Sequence, residues 1–233
     1  MYNTKRMIIF TVAAILLFLL YPFFQDITYL FVVATFDRVF PPSISVEVYQ
    51  AFLFILSFLA FAVIQAFTRH FLFYKYRKES NAVMSYPIKS FYIGDRLVYY
   101  IVPFFIYLLP IFRQSYLTEI VVLRIGLFII TILFFEGLLR YSKSKTTADF
   151  LKDGILVRGI DLRLDFPLTG RIINMSGFYP YEKIDSYLIR ESSVELKLSS
   201  EFGKIELTFP PEDKSEIKDF IKMMKIPQGT FKK

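Results

Sequence analysis

Residues Met7–Gln25 read MIIFTVAAILLFLLYPFFQ, nineteen consecutive positions without a charged side chain. Coiled as a helix, such a stretch covers about 30 Å, the thickness of a bilayer's hydrocarbon core. A helix apolar on every side has no polar face to turn to water, so this segment decides the class as membrane. A secretory signal is the competing reading. The apolar core is too long for one, and no small-residue cleavage site follows Tyr21-Pro22-Phe23-Phe24, so it reads as an uncleaved span. Working outward, three further apolar stretches lie at about 50–68, 97–113 and 119–138. Together they predict a four-helix transmembrane domain over residues 1–145. Ile27–Phe36, apolar and bounded by Asp26 and Asp37, is an extension of the first span, a re-entrant piece or an interfacial helix.

The composition agrees. Of 233 residues, 28 are Phe and 16 are Tyr, and 55% are hydrophobic, more than a soluble chain of this size carries. Tryptophan is absent, and Tyr21, Tyr49, Tyr74, Tyr76, Tyr92, Tyr116 and Tyr141 lie near span ends, where an amphipathic ring is favoured. Eleven Lys and Arg fall before span one, between spans two and three, or just after span four; only Arg38 and Arg113 lie in the opposite loops. The positive-inside rule then predicts a multi-pass cell-membrane protein with both its N-terminus and its C-terminal domain in the cytoplasm.

The net charge of +7 belongs to residues 1–145, which hold 14 Lys and Arg against 7 Asp and Glu; residues 146–233 hold 14 of each. The basic excess therefore reports orientation, and nucleic-acid binding loses its support. With no Cys and one His there is no disulfide framework, no thiolate zinc or iron–sulfur site and no cysteine nucleophile. No paired acids, phosphate loop or nucleophile–base set emerges, so the chain reads as non-enzymatic, with no cofactor, metal or catalytic residue.

Arg124 and Glu136 are the charges placed inside spans and are candidate intramembrane polar contacts. Their simpler reading is that Arg124 snorkels outward near Glu119 and that Glu136 pairs with Arg140 one turn away. Between spans two and three, aromatic and basic residues alternate, and Lys75, Arg77, Lys78 and Lys89 are candidate contacts for anionic lipid headgroups.

From residue 146 the pattern changes to alternation. Ile160, Leu162, Leu164 and Phe166 alternate with Asp161, Arg163 and Asp165, predicting a strand with one buried face. Strands are also expected over 154–159 and 171–176, the latter after a Leu168-Thr169-Gly170 turn. Val194–Leu198 and Ile205–Phe209 form a hairpin turning at 200–203. Pro210-Pro211 ends the last strand, and Ile217, Phe220, Ile221 and Met224 make the apolar stripe of a closing helix. The fold expected for 146–233 is an α+β domain, a small antiparallel barrel capped by one C-terminal helix.

The run Phe178-Tyr179-Pro180-Tyr181-Glu182-Lys183-Ile184, the opening Asp153-Gly154-Ile155 and the Pro-Pro-Glu-Asp-Lys start of the last helix resemble bacterial PH-like domains over residues 148–225. Tyr181 stands where that family commonly has tryptophan. The resemblance implies a binding or scaffolding module that carries over no catalytic residue. Its members often follow membrane helices, and some are implicated in immunity to membrane-active bacteriocins. The candidate interaction surface comprises Tyr179, Tyr181, Arg158, Arg163 and Arg171. Its basic residues are interleaved with Asp161 and Asp165, which favours a protein partner over a phosphoinositide. The expected partners are the lipid bilayer and a membrane protein or a second copy of the chain, with anionic headgroups a further contact. The alternative role is an accessory subunit of a membrane transporter or export complex.

Overall fold

The structure is a computed structural model that describes residues 2–74, 76, 82–91, 93–112, 117–164, 173–199 and 203–229. Four helices are long and apolar enough to cross a membrane: Thr4–Thr35, Pro42–Leu72, Ile93–Phe112 and Thr118–Ser144. Helix α1 runs from Tyr2 to Thr35 without a break, so Ile27–Phe36 is largely the extension of the first span. Helix α2 spans Pro42–Leu72. Helix α3 starts as Ile93–Pro103 and continues through a wide turn, Phe104–Leu108, into a tight one, Leu109–Phe112. The irregular part lies around Pro103 and Pro110, whose missing N–H groups break the i→i−4 ladder. Helix α4 is Thr118–Ser144.

The helices bury some polar side chains and expose large apolar ones. Gln65 and Thr131 are fully buried, whereas Phe18 is 79% and Leu133 67% exposed. Such an exposed apolar surface is compatible with a lipid environment. Buried Ala13, Ala51 and Ala62 let backbones approach closely. Phe58 packs edge-on against Tyr99 with centroids 5.1 Å apart, and its ring meets Phe135 at 4.9 Å.

The remaining elements are short strands and one helix. Strands β1 (Met84–Pro87), β2 (Thr147–Phe150), β3 (Gly154–Arg158) and β4 (Gly177–Pro180) form an antiparallel sheet in that order. Strands β5 (Ile184–Ile189), β6 (Ser193–Leu198) and β7 (Lys204–Thr208) form a second antiparallel sheet. The hairpin of β6 and β7 is as expected, closed by Leu198 N–H donating to Gly203 O at 2.9 Å. Helix α5 (Lys214–Met223) follows a tight turn at Pro211–Asp213 and buries Ile217, Phe220 and Ile221.

The expected closed barrel is not formed. The two sheets meet along one seam, where Ile88 bridges Leu207 and Lys89 N–H donates to Glu206 O at 2.8 Å. At the other side β4 and β5 are separated by the short turn Tyr181–Lys183.

Two further expectations change. Residues 160–164 form no strand, and their burial does not alternate: Ile160 is 47% exposed, while Asp161, Leu162, Arg163 and Leu164 are all buried. Polar partners inside the protein bury the two charged residues alongside the leucines, as described below. Of 171–176, the described part holds a single bridge, Ile173 to Lys204, with Asn174 at φ 54°. That left-handed conformation interrupts any strand.

Nor do the compact units follow a single cut at 145. The helical unit comprises 1–68, 94–139 and 162–165, and the sheet unit 69–93, 140–161 and 166–233. Strand β1, from the connection after α2, pairs with β2, which follows α4, in the register Ser85 to Asp149. Two segments of sequence separated by two helices thus complete one sheet.

Candidate functional site

Within the helical unit, the start of α3 carries two charged residues that meet partners from other elements. Asp95 and Arg96 follow Ile93-Gly94, where the helix begins. Arg163, fully buried, donates to Asp95 at 3.3 Å. One turn along α3, the Tyr99 hydroxyl donates to Leu162 O. Residues 162–164, which alternation reads as a strand edge, are instead held by α3 side chains. Arg163 therefore does not belong to an exposed interaction surface.

Glu136 on α4 accepts a hydrogen bond from the Tyr100 hydroxyl at 2.7 Å, and Arg96 stands 3.5 Å away. Its link across the bundle to α3 is invisible in a spacing that suggests only Arg140. Arg124 departs further from expectation. It is 6% exposed and does not snorkel away; its Nη2 donates to Glu47 of α2 at 2.7 Å. The signal for Glu47 was the helix start at Pro41-Pro42-Ser43, which places it inside the helix that the apolar window began only at residue 50.

The sheet unit has its own buried ion pair. Arg69 donates to Asp161 O at 2.5 Å and lies 3.8 Å from its carboxylate. That carboxylate also accepts from the Ser176 hydroxyl at 2.9 Å and the Ser176 N–H at 3.2 Å. The Asp161 carboxylate is tolerated in the interior because two Ser176 donors and the nearby Arg69 charge replace its water.

The tyrosines of the candidate interaction surface are structural. Tyr179 is 1% exposed and its hydroxyl donates to Met175 O at 2.7 Å. Tyr181 donates to Leu151 O at 2.7 Å; burial and then the Asp153 carboxylate push its hydroxyl pKa up. Arg158, half-exposed, reaches Asp149 at 2.5 Å. Arg171, Lys75, Arg77 and Lys78 lie outside the described residues. Lys89 is exposed. Tyr76, from the aromatic–basic stretch, stacks on Phe178 with centroids 4.1 Å apart.

Two residues that sequence reasoning missed tie the connection after α2 to the sheets. Asn174 donates to Ser90 O at 2.6 Å, and its side-chain oxygen accepts from Glu206 N–H. Tyr86 donates to Asp213 at 3.1 Å; burial first, then that carboxylate, push its pKa up to about 12. Lys204 is raised too: burial lowers it, but Glu206 and Glu195 beside it prevail.

These carboxylates are committed to arginine, lysine, tyrosine or serine donors, an arrangement that holds segments in place. Among the described residues, no group of three or more His, Cys, Asp or Glu is set to hold a metal. No family model, curated protein or solved structure matches this chain.

Proposed function

We propose that the protein is a four-span cell-membrane protein whose cytoplasmic PH-like domain binds a membrane partner and scaffolds or regulates it. Self-protection against a membrane-active peptide is the concrete role this reading suggests. One observation carries it: β1, between α2 and α3, pairs with β2, just after α4. A sheet sewn from both connections supports a reading in which they share one face of the membrane, the face that the positive-inside rule assigns to the cytoplasm. The domain is then held at two points of attachment, as suits a module that positions a partner. Two antiparallel sheets closed by one helix support the PH-like reading.

Of the residues that the motif suggests, Tyr179 and Arg163 are buried and engaged internally, which favours a recognition surface built from other positions. The internal pairing of Arg124 with Glu47 favours a packing role over an ion path, which weighs against the transport-subunit reading. The test is crosslinking from cysteines introduced on the exposed face of α5, for example Lys222→Cys, followed by purification from membranes. A specific membrane-protein adduct is expected, together with raised sensitivity to membrane-active peptides on deletion. No adduct and unchanged sensitivity would overturn the proposal.

A further inference from the structure

We infer that the turn joining α1 to α2 holds an alkylammonium group of the kind carried by an aminophospholipid headgroup. A cavity of about 210 Å³ opens there, lined among others by Tyr29, Val32, Asp37, Ser45, Val46 and Tyr49. Val32 and Ser45 are its most buried walls, 3% and 4% exposed. The Ser45 hydroxyl is buried without a hydrogen-bond partner, a costly state that a ligand N–H relieves.

Charge selects the ligand. Asp37 is the one formally charged residue of the lining. Its full negative charge outweighs the roughly half positive charge at the start of α2, so the cavity prefers a cation. Tyr29 and Tyr49 bring aromatic rings to the lining, which attract an ammonium, and the valines take an alkyl stem. A lone phosphate would meet the Asp37 carboxylate and no basic residue in the lining.

Depth points to the source. Counted from Met7 at the cytoplasmic side, about twenty helical residues cross the hydrocarbon, so its outer edge falls near residue 27 of α1. Counted back from Thr68, the edge falls near residue 48 of α2. Tyr29 and Ser45 then stand at headgroup level and Asp37 on its aqueous side, a placement that rests on the four-span reading.

The experiment uses the full chain in detergent, with two arms. Native mass spectrometry with equal phosphatidylethanolamine and phosphatidylglycerol reads lipid retention, and calorimetric titration with n-butylammonium reads the ammonium alone. Preferential retention of phosphatidylethanolamine is expected, with Asp37→Asn and Tyr29→Leu each weakening both ligands about tenfold, or about 1.4 kcal/mol. Glu119→Gln, outside the cavity, is expected to change neither. Butylammonium binding that depends on Asp37 without lipid preference keeps the ammonium site and assigns it a free amine. Because this arm needs no bilayer, it separates failure of the site from failure of the span reading. If neither ligand depends on Asp37, the inference is overturned.

Discussion

The Arg124–Glu47 pair is the sharpest case at the scale of single residues. Each side chain is about nine-tenths buried, and the two lie 2.7 Å apart on different helices. Removing one partner strands the other charge, so Arg124→Leu or Glu47→Leu alone is expected to destabilise the protein by about 3–5 kcal/mol. The double variant Arg124→Leu/Glu47→Leu should recover most of that loss, because an apolar pair needs no compensation. Denaturant unfolding in micelles measures both, and equal losses in the single and double variants would contradict the pairing. Asn174 is a second case. It combines a left-handed backbone with two side-chain hydrogen bonds, to Ser90 O and from Glu206 N–H. Asn174→Ala loses both bonds and adds strain, for an expected cost of about 2–4 kcal/mol. Asn174→Asp keeps the acceptor and should cost less in the same unfolding measurement.

Among the elements, β1 is only four residues long, yet it buries Met84 and Tyr86. The Tyr86 ring lies against Phe150 and Phe209, with centroids 6.4 and 6.1 Å away, and its hydroxyl reaches Asp213. Its raised pKa has a definite sign. In the unfolded chain Tyr86 ionises near its ordinary value of 10, and in the folded protein only near about 12. Its contribution is therefore fully present below pH 10 and is lost as pH rises through that window. Tyr181 shifts the same way, so Tyr86→Phe is expected to remove part of the alkaline fall in stability, read from unfolding midpoints between pH 9 and 12. An unchanged slope would place Tyr86 in contact with water. The β3–β4 ladder depends on Gly154, where a Cβ would stand 2.4 Å from Tyr179 O and 2.9 Å from Pro180 Cα. Backbone atoms cannot yield as a flexible side chain would. Gly154→Ala is expected to lower the melting temperature by several degrees, checked by circular dichroism.

For the molecule as a whole, the pairing of β1 with β2 makes a claim about topology. Ser85 and Asp149 are register partners, with the Ser85 hydroxyl 2.7 Å from the carboxylate. The chain has no native cysteine, so Ser85→Cys/Asp149→Cys is expected to form one intramolecular disulfide on oxidation in membranes. Protection from alkylation, read by mass, detects it. Two segments on opposite faces of a bilayer could not form that bond, and free thiols in folded protein would contradict the β1–β2 pairing.

What was legible in the sequence follows from how local each signal is. Span length, apolar windows and the closing helix with its Ile217, Phe220 and Ile221 stripe depend on neighbours within a few turns, and each stands in the structure. The hairpin of β6 and β7 is equally local. Strand β1 was not legible, because four residues carry no usable periodicity and the partner strand lies two helices away. Alternation over 160–164 pointed to a single buried face, because period two assumes that charge seeks water, whereas Asp161 and Arg163 are buried together with Leu162 and Leu164. Burial of Asp161 and Arg163 depends on Arg69, Ser176 and Asp95, partners that only the folded chain supplies. The sequence alone determined that this is a chain of helices long and apolar enough to span a membrane, followed by a strand-rich region with one terminal helix, since composition and short-range periodicity set those properties. Only the tertiary structure decided which charges are buried and where the sheet begins, because ion pairs and strand pairing join residues far apart in sequence.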